Sequence, residues 1–421
     1  MVKFYKEDLR NSEQTMTESS KGQKPELGFQ NVMRLGYVSA FTDTSTEMIL
    51  GVLPSFIVKE LGGTALVLGF IEGVAEAINY AFRVLAGIVT DKIGRRKPLI
   101  LLGYGLSSIA KPLFAVATSW SHAFAVRVTD RAGKGIRTSP RDALISDSIG
   151  KAKAGKAFGL HRSLDQLGAI IGPILAFFAI PIVGIRGVFW LSFVPAAMAL
   201  FILLFFVRDT RAPARLRSVF ENTRDVLNRE FVLLLAALGV FTVGAYNFSF
   251  ILLKASSLGV QESYIPLVYA SLNVATVAFG LPAGMLADKV GKVPVLGLGY
   301  IIFLVTSAAG LLLTGNPLYA FPIALLFGSY LAVVETVQRA LIPDFTKPEL
   351  KGTAYAIYYT LIGIGSLIAN SIFGALWSGI GQTTAFQYST ITATAGIIAL
   401  IAFMSKPRQV SVKGQGFLLK G

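Results

Sequence analysis

Cysteine is absent from the 421 residues and histidine occurs only twice. Disulfides, thiolate nucleophiles and cysteine-based metal sites are therefore excluded, and His122 and His161 are too far apart to suggest a ligand cluster. Charge is scarce as well. Only 15% of residues are charged and 53% are hydrophobic, which rules out an ordinary soluble domain of this length. Residues 1–27 are polar and mixed in charge without an apolar core, so a flexible cytoplasmic tail is expected there and not a signal peptide. No nucleophile–base pair, Walker loop or dinucleotide fingerprint occurs. Neither an enzyme nor an ATP-driven pump is expected, and no cofactor or metal.

What the chain has in quantity is apolar runs of about 20 residues, the length that crosses roughly 30 Å of hydrocarbon as a helix. Twelve spans are predicted, approximately at 32–58, 65–90, 98–118, 121–146, 157–183, 187–207, 231–254, 264–287, 293–313, 318–342, 353–377 and 384–404. The formal charge of +15 sits mostly in every second loop: Lys92, Arg95, Arg96 and Lys97; Lys151, Lys153 and Lys156; Arg208 to Arg229; Lys289 and Lys292; Lys347 and Lys351. This alternation reports orientation and not a nucleic-acid partner, and it places both termini in the cytoplasm. The expected units are a bundle at 28–207, a cytoplasmic linker at 208–230, a second bundle at 231–405 and a tail at 406–421.

The two halves repeat. Gly87-Ile-Val-Thr-Asp91-Lys92-Ile-Gly94-Arg95 returns as Gly284-Met-Leu-Ala-Asp288-Lys289-Val-Gly291-Lys292. In the same register, Ala143-Leu-Ile-Ser-Asp147 returns as Ala340-Leu-Ile-Pro-Asp344, and Gly155-Lys-Ala-Phe158 as Gly352-Thr-Ala-Tyr355. An offset of six spans, an even number, predicts parallel repeats about an axis along the membrane normal.

The loop Gly87-x3-Asp91-Lys92-x-Gly94-Arg95-Arg96-Lys97 resembles the signature loop of the major facilitator superfamily at every defined position. The resemblance extends from about Val32 to Met404. It implies an all-helical membrane fold of two six-helix bundles around a central cavity, lined mainly by the first and fourth helices of each half and working by alternating access. The run from Asp130 to Ile145 is similar to a prokaryotic permease subgroup without an assigned substrate, which implies a multi-pass protein of the prokaryotic cell membrane. Gly168-Ala-Ile-Ile-Gly172-Pro173 resembles a segment of the family's antiporters, with Ala176 where a third glycine is usual. The family's span-four pattern, Arg followed four residues later by Gly, is not matched cleanly: Arg127 is followed by Arg131, and Arg131 by Gly135.

The charges inside the spans are the candidate chemistry. Arg127, Asp130, Arg131, Lys134, Arg137 and Arg141 recur three or four apart, near one helical face. A charge facing lipid costs on the order of 3 kcal/mol, so the row marks either a wet cavity or a buried ion-pair network. Asp43 and Glu47 share a face of the first span at depths of roughly 16 and 22 Å. They either neutralise the span-four bases or take up and release a proton, with Asp43 the first proton-coupling candidate. Arg127, Asp130, Arg131 and Lys134, with Tyr246, Asn247 and Asn273 of the second half, are the substrate-cavity candidates. Their excess of positive charge suits an anionic solute.

A conformational gate is expected at Gly87, Asp91, Lys92, Gly94, Arg95 and Arg96, with Asp142 or Asp147 as the partner of Arg95. Arg137, Arg141, Arg162, Asp165, Asp288, Glu335 and Arg339 belong to the same gate, with Glu335 paired to Arg339. For the loop, basic residues alone would serve topology, but Asp91 is not needed for that. Lys111 beside Pro112 is expected to snorkel outward. The composite expectation is a monomeric, proton-coupled secondary transporter of a small organic solute in the lipid bilayer. A proton-coupled multidrug exporter is the alternative, and a non-transporting sensor on the same scaffold is a reading of another class.

Overall fold

The structure is a computed structural model that describes residues 28–149, 154–210, 223–347 and 350–405. The two tails, Lys151, Lys153 and most of the Arg-rich linker lie outside the described residues. The described chain is helical throughout, without a strand. The first span is Gly28–Leu50, prolonged by a turn at Leu53–Ser55 and a π-helical segment at Phe56–Glu60. The second, Ala65–Ile93, starts at Thr64, whose hydroxyl accepts from the Val67 amide, and stops at Gly94 in the left-handed region (φ 67°). That is a helix stop glycine fills without strain. Lys97–Ala110 and the 3-10 segment Lys111–Val116 make the third span, and Trp120–Ser148 the fourth.

Ala154–Leu191 runs through the fifth span and into the sixth, reversing at Gly184 (φ 68°), and Phe193–Phe205 completes the sixth. In the second half, Arg229–Thr242 and Ser249–Ser257 form the seventh, Ile265–Val290 the eighth and Lys292–Leu312 the ninth. Ala320–Leu341, Lys351–Gly379 and Gln382–Met404 are the last three. Among the described residues, eight helices are long and apolar enough to cross a membrane unaided, one of them the 51-residue segment Gly155–Phe205 that Gly184 divides. The first, fourth and seventh fall short because they are polar or broken, and with them the predicted twelve crossings are present.

The seventh span differs from its expected continuous course. It unwinds between Thr242 and Ser249, and the freed backbone is met by neighbours: Asn370 Oδ1 accepts from the Asn247 amide at 2.8 Å, Ser389 donates to the Gly244 carbonyl at 2.8 Å, and Tyr388 to that of Val243 at 2.9 Å. Broken helices persist in membranes only where such partners exist.

Packing repeats between halves. Within the first half, span one packs on five, two on four and three on four and six; within the second, seven packs on eleven, eight on ten and nine on ten and twelve. Across the halves, two meets eleven and five meets eight, a pairing that a pseudo-twofold axis exchanges. The face where the first span begins and the last ends is called the terminal face below, and its opposite the far face. At the far end the halves touch closely: a Cβ on Gly69 would lie 2.1 Å from the Asn370 carbonyl oxygen, and one on Gly374 2.5 Å from that of Ala65. Lys59 and Glu262 pair across the same end at 2.8 Å.

Candidate functional site

Below this closed end lies a cavity of about 250 Å³ between the halves. Its first-half wall is charged, with Glu47, Glu76, Arg131 and Lys134 from spans one, two and four. Its second-half wall is mainly aromatic and apolar, including Tyr246, Phe248, Tyr269, Tyr330 and Ile362, with Asn247, Asn370, Glu335 and Arg339 as polar groups. Toward the terminal face spans two and eleven stay in touch, with Tyr80 stacked on Tyr359 at 5.4 Å and Arg83 over the same ring at 5.0 Å, and a second crevice of about 290 Å³ lies beside them, lined by Arg83, Gly87, Asp91, Ser139 and Tyr359 among others.

The span-four row divides. Arg131 and Lys134 face the cavity, and neither cationic end has a hydrogen-bond partner among the described residues; the buried Arg131 Nε is left without one. Arg127 and Asp130, expected beside them, are instead sealed within the first half. Arg127 Nη2 lies 2.7 Å from Glu72 Oε2, with each side chain 1% exposed, and Asp130 accepts from Ser107 at 2.5 Å. The reason is rotation and depth: Asp130 points toward span three, and Arg127 sits a turn nearer the far end, where Glu72 of span two captures it. Glu72 and Glu76, not Asp43 and Glu47, thus stand closest to the span-four arginines. Sequence reasoning missed both, although two carboxylates four residues apart in an apolar run carry the same signal as Asp43 and Glu47.

Lys111 corrects a second expectation. It is 1% exposed and its ammonium reaches inward to Thr46 Oγ1 at 3.2 Å, where a buried cation finds polar partners on span one.

Glu47 looks across the interface. Its Oε2 is 3.5 Å from Asn273 Nδ2 of span eight, and Asn273 also donates to the Ala169 carbonyl of span five at 2.8 Å. Tyr269 lines the same cavity as Glu47. Asn247 lines the cavity at the break of span seven, and Tyr246 forms its wall with its ring set against Phe373, 4.3 Å between centroids. Asp43 lies outside the main cavity lining, beside Asp165, Lys134 and Arg137. The surrounding cluster is polar: His161 Nε2 is 2.9 Å from Ser39 Oγ, Ser39 is 3.0 Å from Tyr104 Oη, and Arg137 stacks over the Tyr104 ring at 4.6 Å. Arg141 bonds Ser39 and Asp142, and Arg162 pairs with Asp165 at 3.3 Å.

In the signature loop the expected pairing shifts by one residue. Arg96, not Arg95, binds the end of span four: its Nε is 3.2 Å from Asp147 Oδ2 and its Nη1 3.0 Å from Asp91 Oδ1. Arg95 turns to Asp209 at 3.5 Å, while the other Asp209 oxygen accepts from the Arg96 and Lys97 amides and caps the third span. The repeat keeps the expected geometry, since Lys292, the counterpart of Arg95, pairs with Asp344, the counterpart of Asp147, at 2.7 Å. Lys92 and Asp288 are exposed. Glu335 pairs with Arg339 at 2.5 Å, and the pair borders the cavity.

A profile described as Major Facilitator Superfamily matches residues 35–253 and again 232–417. The chain belongs to that superfamily. An uncharacterised MFS-type transporter of Methanocaldococcus jannaschii is 32% identical over 379 residues, covering 88% of this chain and 94% of that one. The multidrug resistance protein MdtH of Photorhabdus laumondii is 27% identical over 191 residues, 44% of this chain and 46% of its own. A crystal structure of the nucleoside transporter NupG superposes with a TM-score of 0.75 over 89% of this chain and 99% of that one at 13% identity, a likeness of fold alone. Membership makes the chain a multi-pass protein of a membrane-transporter family and not an enzyme.

Proposed function

We propose that the protein is a proton-coupled secondary transporter that moves a small organic solute with an anionic group by rocking residues 28–207 against 231–405 about the central cavity. The observation that carries this reading is the pair of cationic ends, Arg131 and Lys134, that face a cavity between the halves without hydrogen-bond partners. Arg offers planar recognition of a carboxylate or phosphate and Lys a point charge beside it. With the halves in close contact at the far face, this reading takes the solute in from the terminal face, which the positive-inside pattern assigns to the cytoplasm of a prokaryotic cell. The linker at 208–230 joins the rocking units on that side, and the monomer suffices because one chain supplies both walls.

In place of the expected excess of positive charge, the charges that line the cavity balance formally, Glu47, Glu76 and Glu335 against Arg131, Lys134 and Arg339, because Arg127 is consumed by Glu72. A bound anion would upset that balance unless a proton entered with it, which supports coupling. Asp43, with Asp165, Lys134 and Arg137 around it, is the proposed proton carrier, because a half-buried carboxyl group whose charged neighbours change as the halves rock can take up and release a proton. Glu47 is the second candidate.

The test is transport by the full chain in liposomes, with Asp43→Asn compared to wild type. Solute counterflow that survives while accumulation driven by a pH gradient disappears is the expected result; normal accumulation removes Asp43 from the coupling step. Binding without any flux would instead indicate a sensor. The multidrug-exporter reading draws on the aromatic second-half wall and the MdtH likeness, and it requires lipophilic cations to compete for the cavity. The span-five glycines have a packing role in any case, since a Cβ on Gly168 would lie 2.2 Å from the Ala40 carbonyl oxygen of span one.

A further inference from the structure

The two cavity walls differ in kind, and the difference narrows the solute. On the second-half side, Phe248 stacks on Tyr269 with centroids 4.8 Å apart and planes 21° from parallel. Tyr269 is buried and Phe248 is half-buried, so part of the Phe248 ring remains uncovered. Phe248 owes its place to the break in span seven, which Asn370, Ser389 and Tyr388 sustain. Tyr330 and Ile362 extend the same wall. Opposite stand Arg131 and Lys134, whose cationic ends make no hydrogen bond or close ion pair among the described residues, with Glu76 the carboxylate nearest Arg131.

We infer that the solute is a small ring-bearing organic acid whose acidic group meets Arg131 and Lys134 while its planar ring lies against the Phe248–Tyr269 stack. This rests on the anionic-solute reading above and goes further by assigning a planar subsite to the second half. An inorganic anion would leave the aromatic wall unused. Offset ring stacking favours a planar aromatic ring over a saturated ring of similar size.

Calorimetric titration of the full-length protein in nanodiscs tests this with benzoate and phenylacetate, their saturated counterparts cyclohexanecarboxylate and cyclohexylacetate, benzyl alcohol and benzylammonium. The aromatic acids should bind about fivefold or more tightly than the saturated ones, with benzyl alcohol weaker than either. Phe248→Leu should abolish the ring preference while keeping affinity for the saturated acids, and Lys134→Gln should weaken both acid types alike. Equal affinity for aromatic and saturated acids, both weakened by Lys134→Gln, would overturn the planar subsite and leave the anionic-solute reading standing. Binding of benzylammonium without either acid, or of no acid at all, would overturn both. Unchanged melting of the ligand-free variants separates a lost contact from a lost fold.

Discussion

Arg127 shows how one side chain reads differently once its neighbours are known. With Glu72 at 2.7 Å and both groups nearly without solvent, the pair is a sealed structural link between spans two and four. Removing one partner of a buried pair strands the other charge, at a cost of about 3–5 kcal/mol. Glu72→Gln should therefore lower the melting temperature sharply, and the double variant Glu72→Leu with Arg127→Met should recover most of the loss in the same thermal assay. Arg131 one turn away makes no close ion pair of this kind among the described residues, although Glu76 stands nearest to it, so its variants should act on ligand binding more than on folding. The exposed Lys59–Glu262 pair belongs to a different class, because solvent screens it.

At the scale of elements, the interface of spans two and eleven holds the far end shut through absent side chains. Gly69 and Gly374 bring backbone against backbone, and a methyl at Gly69 has no room beside the rigid Asn370 carbonyl. Gly69→Ala should wedge the far end apart. A chain without cysteine is suited to measuring this, since Lys59→Cys and Glu262→Cys give two unique labels. A longer label separation in Gly69→Ala than in the Gly69 background is expected, and an unchanged distance would mean that the helices shift elsewhere. The break in span seven is the other element-scale feature, and it sets the depth at which Asn247 and Phe248 enter the cavity.

For the whole molecule, the terminal-face network matters because all its bonds lie within one half. Arg96 ties Asp91 to Asp147, and Asp209 caps span three, while the crevice at Asp91 lies beside spans two and eleven. In the proposed transport cycle that crevice, with Asp91 at its rim, is where the two halves would close. Asp91→Asn should slow turnover while leaving solute affinity in nanodiscs within about twofold, because the residue lies outside the cavity, and unchanged transport in liposomes would exclude a gating role. In energetic terms such a variant shifts an equilibrium between two arrangements and not the binding site itself.

Composition, the length of the apolar runs, the alternating loop charges and the repeated Gly87 and Gly284 segments were enough to determine a helical membrane protein with two related halves. Those properties depend on local hydrophobicity and on periodicity, both written linearly in the chain. The spacing of Asp43, Glu47 and the span-four row likewise located where charge enters the bundle. Tertiary structure alone decided which of those charges are spent on one another: that Glu72 takes Arg127, that Arg96 replaces Arg95 at Asp147, that Lys111 turns inward, and that Arg131 and Lys134 face the cavity without a close ion pair among the described residues. Helical spacing specifies a face only to within a turn, whereas ion pairing inside a membrane depends on which helix lies opposite and at what depth, and that is a property of the packed bundle.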